Sequence, residues 1–139
     1  DVPYRYYKDL TQMAADADFL IVITPGGAST RHLINTNVIE ALGPQGCLIN
    51  ISRGSVVDED ALISALKTGR LGKAGLDVFE NEPHVPDALM EMDNVVLLPH
   101  VGSATVETRQ AMEDLTVENL IAFYRTGKTV TPVPECRDM

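Results

Sequence analysis

Cysteine is scarce in this chain: Cys47 and Cys136 are the two it has in 139 residues. Two thiols cannot build a disulfide framework, so a stapled secreted scaffold is excluded. Cys47 falls in an apolar, strand-like run and Cys136 in the tail. That pattern reads as one buried thiol and one tail thiol in a reducing, cytoplasmic compartment. Positive charge is also short, with eleven Lys and Arg against twenty Asp and Glu and a formal net charge of −9. Such a field repels phosphate backbones and argues against a nucleic-acid partner, while local positive charge can still hold a small anion. No apolar run reaches the roughly 18 residues of a membrane helix. The longest, Phe19 to Ile23, is strand-sized. Asp1 opens a polar segment without a charged-then-apolar pattern, so neither a secretory leader nor a membrane partner is expected.

Other absences bear on chemistry. No GxGxxG fingerprint occurs, and Gly26-Gly27 does not make one. His32, His84 and His100 lack the spacing of metal ligands, and Glu82 with His84 in a proline-rich loop is not a zinc motif, so no metal is expected. Ser52 stands in Ile51-Ser52-Arg53-Gly54, which is not a GxSxG nucleophile elbow.

What is present is an ordinary globular mix, 45% hydrophobic and 22% charged, at the length of about one domain. Disorder, collagen and coiled coil are excluded. Strand and helix signals alternate. Helical stretches are expected at Asp9 to Ala17, Asn37 to Leu42, Asp58 to Lys67 (Asp58 as N-cap) and Ala104 to Arg125 (Ser103 as N-cap). Apolar runs at Phe19–Ile23, Cys47–Ile51, Ala74–Phe79 and Val95–Leu98 read as strands, and Thr131-Pro132-Val133-Pro134 as an extended tail. Continuous apolar strands between helices predict an α/β fold with a parallel sheet covered on both faces.

In such sheets ligands sit outside the carboxyl ends of the strands. Four polar segments follow strand ends: Thr24-Pro25-Gly26, Ser52-Arg53-Gly54, Asp77 to Glu82, and Pro99 to Gly102. Arg53 can hold a carboxylate in a bidentate fork, or simply pair with a surface acid. His100 can give or take a proton near neutrality, or be a strand-end histidine with a satisfied hydrogen bond. Glu82 can orient an imidazole, or be a solvated loop acid. Asp77 interrupts an apolar strand and is costly to bury without a donor. It either accepts from a cofactor amide or caps local backbone.

Three ordered segments now carry a resemblance. Asn50-Ile51-Ser52-Arg53-Gly54-Ser55-Val56-Val57-Asp58-Glu59, Gly75-Leu76-Asp77-Val78-Phe79-Glu80-Asn81-Glu82-Pro83 and Leu98-Pro99-His100-Val101-Gly102-Ser103-Ala104-Thr105 resemble the arginine, glutamate and histidine signatures of the D-isomer-specific 2-hydroxyacid dehydrogenases. Ala28 to Asn35 and Gly102 to Arg109 look most like the glyoxylate, hydroxypyruvate and hydroxyphenylpyruvate reductases of that family. The resemblance implies NAD or NADP as cofactor, with NADP favoured, and a small 2-oxo or 2-hydroxy acid as substrate. It implies that Arg53 binds the substrate's carboxylate and carbonyl. His100 protonates the carbonyl oxygen, and Glu82 holds His100 charged and oriented. It further implies that Asp77 and the backbone of Ile51, Ser52 and Arg53 meet the nicotinamide carboxamide. Thr24 and Pro25 lie along the adenosine side, and Gly102 and His100 approach the nicotinamide end.

Family members are longer and begin with a substrate domain and a glycine-bearing half-domain. The resemblance therefore casts residues 1–103 as the C-terminal half of a Rossmann-type NAD(P)-binding domain. Residues 104–139 become a crossover helix and tail returning to a substrate domain outside this chain. Without the glycine segment at a helix N-terminus, dinucleotide affinity is expected to be weak and the 139-residue piece inactive by itself. An exposed sheet edge and the bare helix face around Leu115 and Ile121 predict an oligomer or a segment-swapped assembly for this piece, and the resemblance implies a homodimer for the longer protein. Two competing readings remain. One is a corepressor-like scaffold of the same fold that binds NAD(H) without turnover. The other is a receiver-type regulator, which Thr24-Pro25 fits poorly because acids belong at that strand end.

Overall fold

A computed structural model describes residues 3–136. The expectations placed on Asp1 and on residues 137–139 of the tail lie outside them. Four strands form one parallel sheet in the order β1 (Phe19–Val22), β2 (Cys47–Asn50), β3 (Lys73–Leu76) and β4 (Val95–Leu97). Each connection passes through a helix, as parallel pairing requires. The helices are α2 (Thr36–Leu42), α3 (Glu59–Lys67) and the single-turn α4 (Asp87–Met90), with α1 (Leu10–Ala15) before the sheet. Asp9 and Asn35 cap α1 and α2, each accepting two backbone N–H groups, and Asp58 caps α3 by accepting from Ala61. Glu59 and Asp60 then sit in the first turn of α3, where its dipole favours them.

The core lies on one side of the sheet. The register puts Leu20, Leu48 and Ala74 in one row and Val22, Asn50 and Leu76 in the next, all buried. Val38, Ile39 and Leu42 of α2 and Leu62, Ala65 and Leu66 of α3 belong to the same cluster. The other face carries Phe19, Ile21 and Val96, which are 67%, 55% and 65% exposed. The expectation of a sheet covered on both faces is therefore met on one face only. The continuous apolar runs become alternating buried and open positions, because this chain's buried helix residues all join the one cluster.

Boundaries shift for physical reasons. β3 stops at Leu76 rather than Phe79, because Asp77 turns away to bind backbone beyond β4. Cys47 is half-buried rather than buried.

The chain divides between Gly102 and Ser103 into two compact units. The second is built on α5 (Val106–Thr126), whose N-cap is Thr105, not Ser103: the Thr105 hydroxyl accepts from Thr108 N–H at 3.2 Å. Left-handed Gly127 (φ 76°) ends the helix with its N–H on Phe123 O. The tail is not simply extended. Asn119 clamps Thr131 by two hydrogen bonds of 2.9 and 3.0 Å, and Pro134–Cys136 form a 3₁₀ turn. Among the described residues no helix is long and apolar enough to cross a membrane.

Candidate active site

The carboxyl ends of β1, β2, β3 and β4 open onto one cavity of about 1120 Å³. Thr24 and Pro25 line it from the first strand end, and Ile51, Ser52 and Arg53 from the second. Glu82 lines it from the third and His100 from the fourth. The structure thus brings seven of the nine expected site residues to one place. Asp77 and Gly102 are outside the lining and bind each other instead.

Arg53 is placed by Asn50, which is 1% exposed at an inward position of β2. Asn50 Nδ2 donates to Arg53 O at 3.1 Å, and its Oδ1 accepts from Ser52 N–H at 3.1 Å, so one buried amide fixes the turn that follows the strand. Ser52 Oγ accepts from Arg53 N–H at 2.5 Å. The guanidinium donates Nη1 to Ser52 O at 2.6 Å. Its Nε and Nη2 pair with no other described residue, which leaves one donor edge free for a carboxylate. The Arg53 stem passes close to Gly26, where a Cβ would stand 2.7 Å from Arg53 Cγ.

His100 adopts a left-handed backbone (φ 55°), uncommon for a residue with a Cβ and costly by about 1–2 kcal/mol. Asp77 holds that turn. Its two oxygens accept the N–H groups of the next two residues, Val101 and Gly102, at 2.8 Å each. Asp77 thus makes the backbone contacts expected of a capping aspartate. Asp77 is 5% exposed, so these two bonds answer the cost of burying its carboxylate.

His100 Nδ1 and Glu82 Oε2 are 2.8 Å apart. Glu82 Oε1 accepts from Phe79 N–H at 3.0 Å, so both carboxylate oxygens are engaged. The hydrogen bond from His100 holds the Glu82 carboxyl below the usual carboxylate range, helped by the Phe79 N–H and Arg53 and opposed by burial. With Nδ1 bound to a carboxylate, Nε2 is the ring atom left free, and it pairs with no described residue.

One polar atom in the wall is orphaned: Thr24 Oγ1 is buried without a hydrogen-bond partner. A buried hydroxyl left unpaired is costly, so a bound polar group there would stabilise the site. An open cleft at the strand ends, an orphaned hydroxyl and a free guanidinium edge beside an imidazole fit one end of a dinucleotide lying next to an anionic substrate.

Sequence reasoning gave no role to Asn50 or to Glu80, which also lines the cavity. Asn50 had a readable signal, a polar residue at an inward position of an apolar strand. Glu80 had none, because a loop acid is ordinarily a solvated one.

The chain is 55% identical over 133 residues to the glyoxylate/hydroxypyruvate reductase A of Arabidopsis thaliana, covering 96% of this chain and 42% of that protein. It is 56% identical over 130 residues to the hydroxyphenylpyruvate reductase of Plectranthus scutellarioides, covering 94% and 42%. Among solved structures it is similar to the NADPH-dependent glyoxylate/hydroxypyruvate reductase of Sinorhizobium meliloti in complex with NADP and malonate. That match has a TM-score of 0.94 and 56% identity, over 96% of this chain and 42% of that one. The chain therefore spans less than half the length of these relatives, matching their C-terminal portion. Residues 1–102 match the model of the D-isomer specific 2-hydroxyacid dehydrogenase NAD binding domain, and the chain belongs to that family.

Proposed function

We propose that this chain is the C-terminal portion of an NAD(P)H-dependent 2-oxo acid reductase of the glyoxylate, hydroxypyruvate or aryl-pyruvate class. The observation that carries this reading is the meeting of Arg53, Glu82 and His100 in one cavity, with the His100–Glu82 contact at 2.8 Å. The chemistry that NAD(P)H would supply, held in the cleft by the residues named below, is hydride for the substrate's carbonyl carbon. The free edge of Arg53 receives the carboxylate and holds the carbonyl beside His100. Nε2 of protonated His100 donates a proton to the carbonyl oxygen, giving the 2-hydroxy acid, and takes it back from the hydroxyl in the reverse direction. Glu82 fixes the ring through Nδ1 and leaves Nε2 free for the transfer.

Thr24, Pro25 and the backbone of Ile51, Ser52 and Arg53 would hold the cofactor along the first two strand ends, with His100 near the nicotinamide. Asp77 and Gly102 would act indirectly, by fixing the backbone around His100. NADP is favoured on the Sinorhizobium meliloti relative, which is NADPH-dependent and was solved with NADP and a carboxylate, malonate.

In this reading residues 1–103 are the second half of the NAD(P)-binding domain, and residues 104–139 return toward a substrate domain. Support comes from the relatives' greater length and the division of the chain after Gly102. The pyrophosphate cradle has no counterpart among these residues, so the 139-residue piece alone should be inactive. Turnover by it that Arg53→Ala abolishes would overturn that point. The proposed assembly is a homodimer or segment-swapped oligomer, supported by the exposed Leu115, Leu120 and Ile121 of α5. A strictly monomeric species in light scattering would contradict it. The two free cysteines suit a cytoplasmic enzyme.

The function is tested by adding glyoxylate, hydroxypyruvate and hydroxyphenylpyruvate to a protein of the relatives' length that carries this sequence. Oxidation of NADH or NADPH is followed. Turnover supports the reductase and ranks substrate and cofactor together. Silence with every pair while NAD(H) still binds would instead indicate the scaffold.

A further inference from the structure

Glu80 lines the cavity two residues before Glu82, yet the reaction uses only Glu82. Its Oε1 accepts from Arg31 Nη2 at 2.7 Å and lies 3.1 Å from His32 Nε2. Its main-chain N–H donates to Glu59 Oε2 at 3.2 Å. His32 in turn donates its main-chain N–H to Ser55 O at 2.9 Å, from a left-handed backbone of φ 49°. Three loops therefore meet at Glu80: the one after β1, the one after β2 that carries Arg53, and the one after β3 that carries Glu82.

The last two loops touch main chain to main chain. A Cβ on Gly54 would stand 1.9 Å from the Phe79 carbonyl carbon and 2.4 Å from Glu80 N. Phe79 supplies the N–H that holds Glu82, so this junction also sets where Glu82 begins. Burial pushes the Glu80 carboxyl up, but the hydrogen bonds from His32 and Arg31 outweigh it and leave a carboxylate. An unneutralised carboxylate on this wall would repel an anionic substrate at Arg53, and Arg31 supplies the compensating charge.

We propose that Glu80, gripped by Arg31 and His32, is a positioning residue that ties the Glu82 loop to the loop after β1 and, through the His32 main-chain N–H on Ser55 O, to the Arg53 loop, and so sets the His100–Glu82 hydrogen bond. Its kinetic consequence rests on the reductase reading, whereas its structural consequence does not. Arg31 is half-exposed, and pairs of this kind add little stability, so cutting the tie should misplace groups rather than unfold the protein.

The test uses Glu80→Gln, His32→Gln and the double variant in a protein of the relatives' length. The His100 Nδ1–H proton resonance reports the bond to Glu82 without any turnover. The expected result is a shifted resonance, kcat lower by on the order of 10-fold, and unchanged cofactor affinity and melting temperature. The double variant should be no worse than the worse single one, because both cut the same tie. An unmoved resonance, or wild-type kcat, in Glu80→Gln overturns the proposal. If the wild-type protein reduces no 2-oxo acid, the functional reading fails, and the resonance alone still supports or overturns the tie.

Discussion

Replacing Asp77 by Asn keeps its shape and changes one atom, and the structure says what that atom does. The two carboxylate oxygens accept the Val101 and Gly102 N–H groups at 2.8 Å each, in a site 5% exposed. An amide offers one oxygen and one NH2, so whichever way it turns, an NH2 faces a backbone N–H. One charge-assisted bond is lost, a cost of about 1.5–3 kcal/mol. Asp77→Ala loses both bonds and should cost roughly 3–6 kcal/mol, less what entering water recovers. The turn they hold carries His100 in its left-handed conformation, so both variants should also loosen the His100–Glu82 contact. Urea denaturation of wild type, Asp77→Asn and Asp77→Ala gives the ordering directly. A loss below about 0.5 kcal/mol for Asp77→Asn, the range of an ordinary surface change, would mean that the two backbone bonds do not hold this turn.

Three further outcomes follow from the same geometry. Arg53→Lys should raise KM for the 2-oxo acid by about 10- to 100-fold with cofactor affinity kept, because a lysine ammonium cannot make the second bond of the fork; an unchanged KM in steady-state kinetics would count against a carboxylate at Arg53. Gly54→Ala should destabilise by at least about 1–3 kcal/mol, since its Cβ falls on the Phe79 main chain and something rigid must shift; thermal melting checks this. Glu82 is held below its ordinary value by His100. Its pairing therefore contributes stability above the unfolded carboxylate pKa of about 4.3 and loses it as pH falls through the lowered native value. Wild type should lose stability more steeply on acidification than Glu82→Gln, and parallel curves would contradict the pairing.

Much of the fold was legible because strands announce themselves as short apolar runs and helices by their caps. Asp58 ahead of Glu59 and Asp60 is such a case. Helix α4 was missed because four residues show no periodicity. Val78 and Phe79 looked like strand because they are apolar and buried, but burial in a loop leaves the same mark as burial in a sheet. Thr105 rather than Ser103 caps α5, a choice between two hydroxyls that composition does not make. For the site, Arg53, Glu82 and His100 were legible as polar residues after strand ends. Asp77 was legible as a costly buried charge, though its partners belong to another strand's exit and sequence distance hid them. Glu80 was invisible because its role depends on Arg31 and His32, some fifty positions earlier, folding onto it.

In the proposed reaction His100, held by Glu82, moves the proton for reduction of a 2-oxo acid bound at Arg53. The most direct measurement compares NAD(P)H oxidation by wild type and by His100→Ala, in a protein of the relatives' length with its preferred substrate. The expected result is a fall of about 10²- to 10⁴-fold in kcat with cofactor binding retained. Equal turnover by the two proteins would contradict it.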